Sequence, residues 1–70
     1  MMPLSLAQQG EENMIRKVSG SSEVRLHLET LGFVSGAMVT VINKIGGNVI
    51  VNIKDSRVAI SREMANKIMI

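Results

Sequence analysis

The side chains able to do chemistry are few and scattered. His27 is the only histidine, there is no cysteine, and eight Lys plus Arg face six Asp plus Glu across 70 residues. A metal site needs three or four convergent donors. Glu23 and His27 stand one helical turn apart, so they would supply only two protein ligands, a set suited to weak association of a divalent ion and to nothing tighter. The simpler reading makes His27 a solvated boundary residue, beside an apolar face and close to Arg25 and Glu29. Without cysteine there is no disulfide, thiolate site or thiol nucleophile, which fits a reducing compartment.

Other groups have structural employment. Ser19, Ser21, Ser22, Ser35, Ser56 and Ser61 sit where turns or helix caps are expected, and no nucleophile has a base near it in pattern, so catalysis is not expected. Gly46-Gly47-Asn48 lacks the Lys and Ser/Thr of a phosphate-cradling loop and leads into a strand pattern, which makes it a hairpin turn. Of the methionines at positions 1, 2, 14, 38, 64 and 69, most are expected to fill core gaps, since Phe33 is the only aromatic.

Leu26 is the apolar side chain of the helix without a place in the core. It points to the side of the helix opposite Val24, between Arg25 and Glu29. A single exposed leucine needs no explanation. Together with Phe33 and Val34 in the adjacent turn, however, it would make a small apolar patch ringed by charge, the anatomy of a docking surface. Arg25, Leu26, Glu29, Phe33 and Val34 are therefore the partner-binding candidates.

The elements that must hold these residues follow from periodicity. Val24, Leu28 and Leu31 fall at i, i+4 and i+7, one face of a helix over about residues 22–31. Ser21 or Ser22 can cap its start, Glu23 opposes the positive helix end, and Gly32 can take the left-handed conformation that stops it. Before it, Pro3, Leu4, Leu6 and Ala7 make a lead-in with a turn of helix whose leucines staple it to the barrel, and Met14-Ile15-Arg16-Lys17-Val18 reads as a first strand. After it, Ala37 to Asn43 is rich in β-branched residues and forms the second strand. Val49 to Lys54 is the third, with Val49, Val51 and Ile53 inward and Ile50, Asn52 and Lys54 outward. A turn at Asp55-Ser56 leads into Arg57–Ile60, with Val58 and Ile60 inward; Ser61 caps a helical turn, and Lys67 to Ile70 closes as the last strand.

The fold class is thus mainly β: about five short strands with one inserted α-helix and a short helical turn before the last strand. Such strands close most readily into a small barrel, because an open sheet would leave long edges. One domain over 1–70 is expected, with no repeat or linker to split it. The net charge of +2 is too small and too dispersed to indicate a nucleic-acid partner. There is no signal-like start and no apolar run of ~18 residues, so a soluble, cytoplasmic chain without membrane insertion is expected.

Order and spacing over nearly the whole chain resemble the ferrous iron transport protein A (FeoA) family. The residues that carry the resemblance are Met2 to Ala7, Gly10, Ile15 to Val18 with Gly20, then Leu28, Leu31-Gly32, Gly36, Val39, Val41 and Gly46-Gly47. Val49 to Ile53, Ala59-Ile60, Arg62, Ala65 and Ile68 complete the set. Ser35 and Asn48 stand where the family usually has proline, both turn-forming replacements. The resemblance implies an SH3-like barrel and a small cytoplasmic component of bacterial ferrous iron uptake. Its implied partner is the FeoB membrane permease, whose cytoplasmic part includes a GTP-binding domain. A related SH3-like domain ends metal-dependent repressors, which leaves a role beside a transcription regulator as the alternative. A small nucleic-acid-binding barrel is a further one, against which the lone aromatic argues.

Overall fold

The computed structural model describes residues 1–70. A 3-10 turn at Leu4–Leu6 precedes β1 (Glu12–Met14), β2 (Lys17–Val18) and α1 (Ser22–Thr30). Then come β3 (Met38–Ile45), β4 (Asn48–Ile53), β5 (Ser56–Ser61), α2 (Arg62–Ala65) and β6 (Ile68–Met69). Four strands make an antiparallel sheet in the order β1-β3-β4-β5, and β2 pairs with β6 in a second sheet. The chain ends are tied together, Met2 N–H to Ile70 carbonyl at 3.0 Å and Ile70 N–H to Met2 carbonyl at 2.8 Å.

The expected first strand is broken into two, which raises the strand number to six. The cause is that its two halves serve different sheets. Ile15 donates its N–H to the Ala37 carbonyl, at the end of the β1–β3 ladder, whereas Arg16 donates to the Met69 carbonyl of β6. The chain turns the barrel corner at this point, with the Ile15 side chain fully buried in the angle. The second strand runs two residues further than expected, to Ile45. A bulge interrupts its register with β4 between Val41 and Asn43, as a strand that must bend requires. The lead-in satisfies the backbone groups freed there: Gly10 N–H donates to Val41 carbonyl at 2.8 Å and the Gln9 amide to Ile42 carbonyl at 3.0 Å.

The core follows the strand alternation. Val39 and Val41 of β3, Val49, Val51 and Ile53 of β4 and Ile60 of β5 point inward, joined by Leu28 of α1, Phe33, Ala65 and Ile68. Val58 is only half-buried because β5 is the sheet's edge, and Ile50 lies half-exposed on the outer face. Two expectations hold only in part. In the 3-10 turn the inward positions are Leu4 and Ala7, three apart as that geometry dictates, so Leu6 projects into solvent and staples nothing. Only Met64 among the methionines packs against the core, half-buried; Met1, Met2, Met14 and Met38 are exposed and Met69 is half-buried elsewhere. The β-branched residues already take the inward places, and alternation leaves Met14 and Met38 on the outside.

Candidate functional site

The site grows from how α1 is started and stopped. Ser21, in extended conformation, accepts the Val24 N–H on its hydroxyl at 3.2 Å, and Glu23 occupies the first turn. At the other end Gly32 has φ +106, and its N–H reaches the Glu29 carbonyl at 2.9 Å. The next N–H, of Phe33, returns to the Leu28 carbonyl at 2.9 Å. These two bonds are the Schellman arrangement, which brings the residue after the glycine back against the last helical turn.

That termination turns the Phe33 side chain inward. It is 0% exposed, packed in the core with Leu28. Phe33 is therefore not part of an exposed apolar patch as expected; it lies under one. The sequence held the signal, since an apolar residue following a glycine C-cap commonly packs on the helix position five before it. With its ring in the core, the chain presents no aromatic face to a base.

The other candidates come together around it. A groove of about 780 Å³ is bordered by Lys17 and Val18 of β2, by Ser22, Arg25, Leu26 and Glu29 along one flank of α1, and by Phe33, Val34 and Ser35 of the following turn. All five partner-binding candidates line it, and Lys17, Val18, Ser22 and Ser35 are additions that the sequence did not single out. Lys17 and Val18 arrive because β2 belongs to the second sheet, a placement no local pattern reveals, whereas Ser22 opens the helix and Ser35 lies in the turn that follows it. Leu26 is 63% exposed, and Val18 and Val34 are half-buried. Ser35 fixes the rim by donating its hydroxyl to the Arg16 carbonyl at 3.2 Å, linking the turn after α1 to the start of β2.

His27 and Glu23 are exposed, and neither lines the groove. No three His, Cys, Asp or Glu side chains converge anywhere in the chain, so the two donors gain no third. No helix is long and apolar enough to cross a membrane.

Two sheets around one core, plugged by a capped helix and carrying an open apolar groove with a charged rim, define a small β-barrel module. The SH3-like class is borne out by solved structures of the same shape. An iron uptake regulatory protein, FeoA, superposes with TM-score 0.89 at 26% identity, covering 97% of this chain and 90% of that one. Stenotrophomonas maltophilia FeoA, solved with zinc and described as a prokaryotic SH3 domain protein, superposes with TM-score 0.85 at 23% identity over 99% and 88%. In sequence, a candidate Fe(2+) transport protein A of Methanocaldococcus jannaschii is 36% identical over all 70 residues, covering 85% of that protein. The FeoA domain model matches residues 2–70. The chain belongs to the FeoA family of ferrous iron transport proteins.

Proposed function

We propose that this chain is a non-catalytic accessory of ferrous iron uptake that docks on the cytoplasmic, GTP-binding part of a FeoB-type permease and modulates transport. The observation that carries the docking role is the α1 groove: an apolar strip of Leu26, Val34 and Val18 over buried Phe33, open to solvent and bordered by Lys17, Arg25 and Glu29. An apolar strip rimmed by charge is the anatomy of a surface that holds another macromolecule, which supports a role through contact. On this reading it acts in the cytoplasm, and iron is the permease's cargo; His27 with Glu23 would hold a divalent ion only weakly.

The test is a titration of the chain against the soluble GTP-binding domain, with and without ferrous iron, repeated with Leu26→Glu. Saturable binding lost in the variant supports docking through the groove, provided its thermal unfolding matches the parent. Equal binding by the two would refute it.

A further inference from the structure

The groove also specifies what kind of segment it takes. Its floor is apolar and its rim carries two cations, Lys17 and Arg25, against one carboxylate, Glu29. These charges are not committed within the chain. The side-chain hydrogen bonds of the molecule start from Ser5, Gln9, Asn13, Thr30, Ser35 and Lys44 or end on Asn43 and the two capping serines. None of them involves the side chain of Lys17, Arg25 or Glu29. Arg25 precedes Glu29 by one helical turn, the order in which an i,i+4 ion pair gains least, so the two do little to neutralise each other. Both cations stay exposed and available.

We infer that the groove receives an apolar segment of the permease that carries at least one carboxylate beside its anchoring side chain. The apolar residue would rest on Leu26 and Val34, where removing water gives the attraction. The acidic group would lie toward Arg25 and Lys17, where the guanidinium offers paired donors in a plane. A basic segment would meet two like charges, so the same rim rejects it. This rests on the docking reading above and adds to it the sign of the partner's charge.

Affinity for the detergent-solubilised, full-length permease, measured for the chain and for Lys17→Glu, Arg25→Glu and Glu29→Gln, tests the inference. Reversing either cation should weaken binding by about three- to tenfold, and Glu29→Gln should strengthen it by about two- to threefold, the scale of exposed charge pairs. Raising the salt concentration should weaken the parent and flatten these differences. If the parent binds but Arg25→Glu and Lys17→Glu bind equally or better, or Glu29→Gln binds worse, this inference falls and docking stands. Failure of the parent to bind at any salt removes both. A single-stranded oligonucleotide that displaces the permease from the groove would assign the rim to nucleic acid and overturn the inference.

Discussion

The Phe33 N–H donates to the Leu28 carbonyl at 2.9 Å, and the two side chains are buried together beneath the groove. That bond exists only because Gly32 between them holds φ +106, outside the range that L side chains prefer. A Cβ at position 32 would find its nearest neighbour, the Lys54 Cδ, at 3.4 Å, an ordinary contact, so the obstacle is conformational and not steric. Gly32→Ala should cost about 1–3 kcal/mol, the usual range for a residue held in a sparsely populated backbone region. Urea unfolding followed by far-UV circular dichroism measures it. Because the strain would act on the Schellman bonds, the amides of residue 32 and Phe33, which donate them, should also exchange faster with deuterium.

Much of this design is readable from the chain. Ser61 and the pair Ser21-Ser22 were recognisable as cap candidates because each precedes a short helical pattern with an acidic residue in its first turn, and the structure chooses Ser21, with the Ser21 and Ser61 hydroxyls each accepting an N–H three residues on. The Gly46-Gly47 hairpin and the inward set of β4 were legible for the same reason: turn chemistry and alternation are local. Most of what escaped was decided at long range. Ile15 looks like the middle of a strand until β3 and β6 claim the residues on its two sides; Phe33, by contrast, is turned under by the local helix end, a signal present in the sequence. For Met14 and Met38 hydrophobicity gave the wrong side, since neither position can turn inward without flipping its whole strand.

Both caps should be measurable. Ser21→Ala and Ser61→Ala each leave one backbone N–H unsatisfied, of Val24 and of Met64, and should lower stability by about 1 kcal/mol apiece. Ser56→Ala, exposed at the start of β5 where no cap is formed, should change it by less than ~0.5 kcal/mol. Chemical denaturation of the three variants in parallel separates capping from the general effect of removing a hydroxyl.

The β4–β5 hairpin turns through Lys54 at φ 49 and Asp55 at φ 62, two successive left-handed residues without glycine. Such a two-residue turn matches strand twist but favours Asn-Gly or Asp-Gly. Asp55→Gly should therefore stabilise the chain by roughly 0.5 kcal/mol, the relief of left-handed strain less the greater freedom of glycine in the unfolded chain. A raised midpoint in urea with unchanged slope is the expected result, and a lowered midpoint would show that Asp55 contributes something its conformation does not explain.

Met14 lies opposite Met38 in the β1–β3 ladder, and the neighbouring Ile15–Ala37 bond marks theirs as a non-hydrogen-bonded pair, the kind in which side chains come closest. At 48% and 43% exposure the two thioethers are open to oxidants, in contrast to half-buried Met64 and Met69. Dilute hydrogen peroxide should convert Met1, Met2, Met14 and Met38 to sulfoxides before Met64 and Met69, as read by peptide mass spectrometry. The fold should survive that first stage, because none of the four contributes to the core.

Phe33 and Leu26 border the same groove yet should behave oppositely on truncation. Phe33→Ala removes the only aromatic from a small core and should cost about 3–5 kcal/mol, most of the several kcal/mol that ~0.1 kcal/mol per residue allows a chain of this size. The variant is expected to be largely unfolded at room temperature or to melt without cooperativity. Phe33→Leu, which keeps much of the volume, should cost less and remain folded, so that groove and core can be examined apart. Leu26→Ala, removing a side chain that is mostly in solvent, should shift stability by no more than ~0.5 kcal/mol. Thermal unfolding of the three orders them. A large loss for Leu26→Ala would mean that the leucine holds the helix in place and is not free to serve a partner, which would weaken the docking role at its centre.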